Sequence, residues 1–111
     1  MRLITRKDTG TQRALKRLDL SDLKDKDDLH RLLEEVKIMC ALDHPHIVCL
    51  EEVYEGESEL YLTQELCTGG DLFDRLEEQT NESYTEEQCA RLIRQIISSV
   101  SYLHSKNIIH R

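Results

Sequence analysis

Two charged residues sit where the hydrophobic pattern calls for apolar side chains. Lys16, in the run Arg13-Ala14-Leu15-Lys16-Arg17-Leu18, shares one strand face with Ala14 and Leu18, while Arg13, Leu15 and Arg17 point the other way. Glu35 falls between Leu32 and Met39 at helical spacing, on the inward stripe of an amphipathic segment. Burying either charge alone costs several kcal/mol. A sheet packed on that helix brings ammonium and carboxylate together; alternatively each snorkels to the edge as an ordinary surface ion. Other candidates for chemistry are sparse. His44 and His46 stand two apart like metal ligands, but no third and fourth ligand follows at useful spacing, so no metal site is expected. Cys40, Cys49, Cys67 and Cys89 form no C-x-x-C pair and are expected to be reduced, mostly buried thiols. Asn81-Glu82-Ser83 matches a glycosylation sequon that, with no secretory leader before it, is expected to go unused.

The elements that must position these residues follow from periodicity. Residues 3–5 and 13–18 read as strands joined by a turn at Asp8-Thr9-Gly10, where glycine is free to take positive φ. The aspartate-rich stretch from Ser21 to Asp28 suits a helix entry, since acids favour the positive end of the helix dipole. Leu29, Leu32, Leu33, Val36, Met39 and Cys40 predict a helix over 26–41, which Pro45 prevents from continuing. Residues 47–54 and 59–66 form a second hairpin, with a loop at Thr68-Gly69-Gly70. Asp71 caps a short helix, and Thr85-Glu86-Glu87-Gln88 is a capping box opening a helix of about 86–105. The apolar set of that last helix is too broad for one-sided burial, so protein should wrap several sides of it. The order β-β-α-β-β followed by helices predicts an α+β fold.

Composition narrows the partners. Leu, Ile, Val and Phe make up 30 of 111 residues, too many for a disordered chain, so a core is expected. The net charge of −7 is uneven: residues 1–24 carry seven Lys/Arg against three Asp, and the remainder eight against nineteen acids. That acidic majority is a poor match for nucleic acid phosphates. It is a solvated surface or a docking face for basic peptides. No apolar run approaches the roughly 18–20 residues of a membrane span, so a soluble, cytoplasmic protein is expected.

Several segments, in order, resemble the eukaryotic protein kinase domain. Ala14-Leu15-Lys16 is similar to the family's Ala-x-Lys strand, and Glu34-Glu35-Val36-Lys37-Ile38-Met39 to its regulatory helix. His44-Pro45-His46-Ile47-Val48 resembles the His-Pro-Asn-Ile-Val that follows. The run from Glu65 to Asp74 looks like the hinge and the first helix of the C-lobe. Tyr102-Leu103-His104-Ser105-Lys106-Asn107-Ile108-Ile109-His110-Arg111 resembles the entry to the catalytic loop, whose aspartate would follow Arg111. The details look most like the calcium/calmodulin-dependent group, especially calcium-dependent kinases.

The resemblance implies a partial N-lobe over 1–66, an antiparallel sheet plus regulatory helix lacking the first strand and glycine-rich loop. It implies the hinge and the first two C-lobe helices over 67–111. Lys16 then holds the ATP phosphates and Glu35 orients it. Glu65 and Cys67 offer main-chain groups to adenine, Ala14 and Leu72 sandwich it, and Met1 takes a position where valine is usual. Gln64 falls at the gatekeeper, where threonine or a larger apolar residue is more usual. Asp71 matches an acid that contacts ribose and a substrate arginine, beside its reading as a helix cap. Met39, Leu50 and His110 match three members of a stacked column. ATP with Mg2+ and protein or peptide substrates, basic ones included, are the implied ligands. Gly10, Gly56, Gly69 and Gly70 form no G-x-G-x-x-G, and no residue present matches the catalytic aspartate. The 111 residues alone are therefore expected to be inactive and to self-associate. A non-catalytic kinase-like interaction module is the alternative.

Overall fold

The computed structural model describes residues 1–21, 23, 25–78 and 83–111. The sequon at Asn81, and Asp22 and Lys24 of the helix entry, lie outside the described residues. The chain divides into two compact units, one of residues 1–43 and 48–66, the other of residues 44–47 and 67–111.

The first unit is a four-stranded antiparallel sheet with one helix. Its strands are β1 (Arg2–Thr5), β2 (Gln12–Asp19), β3 (Leu50–Glu55) and β4 (Glu59–Gln64), in the order β1-β2-β4-β3, and its helix is α1 (Lys26–Cys40). The β1–β2 turn closes through Gly10 N–H to the Arg6 carbonyl at 2.8 Å, with Gly10 at φ +72°. Register pairs Ala14 with Gln64, Lys16 with Leu62 and Leu18 with Leu60. Because cross-strand partners share a face, these six residues line one side of the sheet. Leu60 and Leu62 are buried there with Leu50 and with Val36 of α1, and Leu18, Leu20 and Met39 pack around them.

Between Leu50 and Glu52 the β3–β4 ladder slips at a bulge. Glu51 is the extra residue, and it pairs with Arg13 of β2. Glu52 meets Arg6 at 3.4 Å and accepts a hydrogen bond from the Tyr54 hydroxyl, which holds that phenol above its ordinary pKa. The bulge thus places two carboxylates where guanidiniums from the first hairpin reach them.

The second unit holds α2 (Leu72–Glu77), α3 (Glu86–Ser105) and the loop His44–Ile47. Asp71 caps α2, accepting from Asp74 N–H at 2.8 Å. Thr85 and Gln88 form the reciprocal capping box of α3, at 3.2 and 2.8 Å. At its other end Asn107 takes φ 59°, and Ile108 N–H returns to the Leu103 carbonyl at 2.9 Å, a left-handed stop of the kind asparagine tolerates. Leu103 is the buried side chain of α3, while Ile93, Ile96, Ile97 and Val100 stay exposed.

Several boundaries differ from expectation. The second hairpin begins at Leu50 instead of residue 47, since His44 and His46 of the preceding loop hydrogen-bond to α3, and β4 ends at Gln64 instead of Leu66. The four cysteines, expected to be mostly buried, are all free and exposed. The buried cluster is small and aliphatic, and Cys40, Cys49, Cys67 and Cys89 all lie at or near element ends outside it.

Candidate functional site

Sheet register decides what Lys16 can do. It projects from the same face as Ala14, which is buried, and stands opposite Leu62, the most deeply buried side chain. Lys16 itself is exposed. The ion pair expected with Glu35 is not made: among the described residues no acid–base contact within 4.0 Å involves either side chain. Two geometric facts account for this. Of the strands, α1 comes closest to β3, and β4 stands between β3 and β2, so Lys16 lies two strand spacings, roughly 10 Å, from the strand the helix approaches. On α1 itself, Glu35 precedes the buried Val36 by one residue, about 100° around the helix. The inward stripe is therefore Leu29, Leu32, Val36 and Met39, and Glu35 stands on its exposed flank. Its neighbour Glu34 pairs instead with Lys37 at 2.6 Å, and that hydrogen bond holds the Glu34 carboxyl below its ordinary pKa.

Other residues singled out in this unit fall around the same sheet face. Gln64 is half-buried, opposite both Ala14 and Leu50. Glu65 donates its N–H to the Cys49 carbonyl at 3.0 Å, and its own carbonyl has no main-chain partner among the described residues. Leu50 is buried in the apolar cluster and Met39 packs against it. Met1 is 84% exposed at the start of the edge strand β1.

In the second unit Cys67 is exposed, and its N–H has no main-chain partner among the described residues. The Asp71 carboxylate is engaged as the α2 cap, so the cap reading is realised. Leu72 is 48% exposed, its carbonyl accepting the Tyr84 hydroxyl at 2.8 Å. His110 is exposed.

Sequence reasoning missed Glu51 and His44. Nothing in the pattern marks a bulge at Glu51, and the His-x-His spacing of His44 and His46 carries no signal for hydrogen bonding by His44. Its Nε2 lies 3.1 Å from Ser98 Oγ, and its Nδ1 accepts the His46 N–H at 3.1 Å. Among the described residues no three His, Cys, Asp or Glu side chains converge as a metal ion would require.

A sheet carrying an Ala-x-Lys strand against one helix, in a chain that continues into capped helices, defines an α+β domain of the protein-kinase class. The protein kinase domain model matches residues 1–111. The chain belongs to that family. It is 45% identical over 105 residues to calcium-dependent protein kinase 5 of Plasmodium berghei (strain Anka), covering 95% of this chain and 18% of that protein. It is 45% identical over 98 residues to calcium/calmodulin-dependent protein kinase type 1B of Rattus norvegicus, covering 88% and 27%. Myosin light chain kinase A of Dictyostelium discoideum is 42% identical over 105 residues, covering 95% and 35%. The chain thus spans about a fifth to a third of the length of these curated relatives. The expected resemblance to calcium-dependent kinases and the expected α+β fold both hold.

Proposed function

We propose that these residues form part of a serine/threonine protein kinase, which transfers the γ-phosphate of ATP to protein hydroxyls. The observation that carries this reading is the sheet face on which Lys16, an exposed ammonium in no ion pair among the described residues, stands beside buried Ala14 and opposite Leu62. Those residues fit a nucleotide: a mobile cation for phosphates and an apolar floor, with the Glu65 carbonyl outside the main-chain ladder just beyond β4. Residues 1–66 serve as a partial N-lobe and 67–111 as the hinge and start of the C-lobe. Mg2+-bound ATP supplies the transferable phosphoryl group. Lys16 binds its phosphates, with Glu35 as partner once α1 moves toward β2. Main-chain groups of Glu65 and Cys67 bind adenine, against Ala14 and Leu72, with Gln64 as a polar gatekeeper. Asp71 takes the ribose or a substrate arginine in addition to capping α2. Met39, Leu50 and His110 act as structural supports.

The substrates are cytoplasmic proteins, including basic peptides attracted by the acid-rich portion of the chain. No helix of the described residues is long and apolar enough to cross a membrane. By themselves, residues 1–111 transfer no phosphate, because phosphoryl transfer depends on an aspartate and metal-borne charge that these residues do not supply. The exposed aliphatic face of α3 drives their self-association, and it also favours a second reading, in which the chain is a non-catalytic interaction module.

A chimera distinguishes the two readings. Residues 1–111 replace the matching segment of a calcium-dependent protein kinase, and peptide phosphorylation is followed. The chimera is expected to be active, and Lys16→Ala to lower its rate by about a hundredfold or more. A folded chimera that binds Mg-ATP without transferring phosphate, or one indifferent to Lys16→Ala, sinks the kinase reading. Phosphate transfer by residues 1–111 alone, abolished by Lys16→Ala, sinks the proposed inactivity.

A further inference from the structure

The two outer strands of the sheet leave main-chain groups unpaired, and they carry opposite charge. The order β1-β2-β4-β3 makes β1 and β3 the edges. Among the elements β1 lies beside β2 alone, and α1 reaches β3 through Val36 on the sheet face, packing with Leu50, Leu60 and Leu62. No element of the described residues therefore runs along either outer edge. The hairpin closures decide which groups point outward. Arg6 N–H bonds to the Thr11 carbonyl at 2.9 Å, and Gly56 N–H to the Glu59 carbonyl at 2.8 Å. Alternate residues of an antiparallel strand bond to its partner. Ile4 thus faces β2, while Leu3 and Thr5 turn their main-chain groups outward. By the same count Glu52 and Tyr54 face β4, while Val53 and Glu55 turn theirs outward. From Met1 to Lys7 the charges are Arg2, Arg6 and Lys7; from Leu50 to Glu57 they are Glu51, Glu52, Glu55 and Glu57. Glu51 and Glu52 already meet Arg13 and Arg6. Arg2, Lys7, Glu55 and Glu57 are exposed and in no ion pair among the described residues.

We propose that copies of the 111-residue chain join head to tail, the basic β1 edge of one adding as a strand to the acidic β3 edge of the next. Every pairing in the sheet is antiparallel, so β3 runs opposite to β1. A second copy shifted sideways along the sheet, without being turned over, therefore meets β3 as an antiparallel partner. The faces match as well. Leu3 and Thr5 lie on the side of Ala14, and Val53 and Glu55 lie on that same side, opposite Leu62 and Leu60. Outward main-chain groups on both edges thus belong to residues of one face, as an antiparallel ladder requires. Leu3 is 58% and Val53 38% exposed, and the join covers both. Arg2 of the added strand comes to the Glu55–Glu57 end of β3, and Lys7 to the Glu51–Glu52 end. Setting β3 against β3, or β1 against β1, juxtaposes like charges and disfavours a two-fold dimer. The join is heterologous and leaves one edge free at each end, so it grows past two copies. The inference rests on the sheet alone and stands whether or not the chain is part of a kinase.

The test uses the 111-residue chain carrying Ile96→Lys and Ile97→Lys, which removes the aliphatic face of α3 as a source of association. In sedimentation velocity at low salt, average mass should keep rising with concentration past the dimer, and it should fall as salt screens the edges. Hydrogen exchange followed by nuclear magnetic resonance should show the Leu3, Thr5, Val53 and Glu55 amides gaining protection on concentration, with Ile4 and Tyr54 unchanged. Reversing one edge, by Glu55→Lys with Glu57→Lys or by Arg2→Glu with Lys7→Glu, should weaken association about tenfold or more. All four side chains are exposed, so the sheet itself should survive these changes. Mixing the two reversed proteins should restore association, because each β3 edge again finds a β1 edge of opposite sign. A mass that stops at the dimer would mean a two-fold join and overturn the proposal. Protection gained at Val53 and Glu55 but not at Leu3 and Thr5 would put some other segment on β3 and overturn it too. So would an absence of any gain, or reversed proteins that associate as before. The exchange reading needs no edge variant, so misfolding of a mutant leaves the idea open to refutation.

Discussion

The sheet unit and the helical unit solve the burial problem to different degrees. In the first, one sheet face closes over Val36, Leu50, Leu60 and Leu62, and the charges of Arg6, Arg13 and Arg17 find carboxylates. In the second, α3 is capped at both ends, yet among its side chains only Leu103 is buried. Ile97 remains 61% exposed. The contrast shows that helix formation and helix burial are separate events. Main-chain bonding and caps are local and complete in α3, whereas covering its aliphatic surface depends on groups outside the helix.

The largest expected effect tests that contrast directly. Leu62 is 2% exposed, so Leu62→Ala should remove both transfer energy and packing, about 2–5 kcal/mol. Ile97→Ala should fall within about 0.5 kcal/mol of wild type, as exposed substitutions do. Denaturant unfolding of each variant supplies the comparison. Equal costs at the two positions would mean that α3 is covered after all. Association comes next. Replacing Ile96 and Ile97 by Lys places charge on the bare aliphatic face and should shift the 111-residue chain toward monomer in sedimentation velocity. An unchanged distribution would show that this face does not drive self-association.

What could be read from the sequence sorts along the same line. Gly10 in its turn, Asp71 as a cap and the Thr85–Gln88 box are all local signals, and each appears at its expected position. Helical spacing located α1 and α3 to within a residue. The errors came from long-range partners. Residue 47 reads as strand, yet the loop before it bonds to Ser98 and Ser99, more than fifty positions away. Glu35 satisfies a helical stripe on paper, but the side α1 turns inward is fixed by Val36 against Leu50, Leu60 and Leu62. The bulge at Glu51 is likewise set by the partner strand, which no local pattern records.

A smaller effect sharpens the claim that α3 is locally determined. Thr85 accepts from Gln88 N–H, and the Gln88 side chain answers the Thr85 N–H. Thr85→Ala should cost about 1 kcal/mol, visible as faster amide exchange confined to the first turn of α3. The sheet amides should not change. If exchange rises along all of α3, the helix depends on its cap far more than on its own length.

The smallest effect belongs to the charged side of the sheet unit and depends on pH. Asp19 ends β2, and hydrogen bonds from the Ser21 hydroxyl and main-chain N–H, aided by Arg17, hold its carboxyl below the ordinary aspartate value. A carboxyl depressed in the folded state stabilises that state fully above its unfolded pKa, near 3.9. The contribution is lost as pH falls through the lower, folded value. Asp19→Asn keeps an acceptor for Ser21 but removes the charge, so its melting temperature should lie slightly below wild type at pH 7. The two should converge as pH falls through the lower, folded-state value. Because Asp19 is exposed, the gap should also shrink in high salt. A gap that widens on acidification would mean that the carboxylate destabilises the sheet end and that the Ser21 bonds belong to the unfolded chain as well.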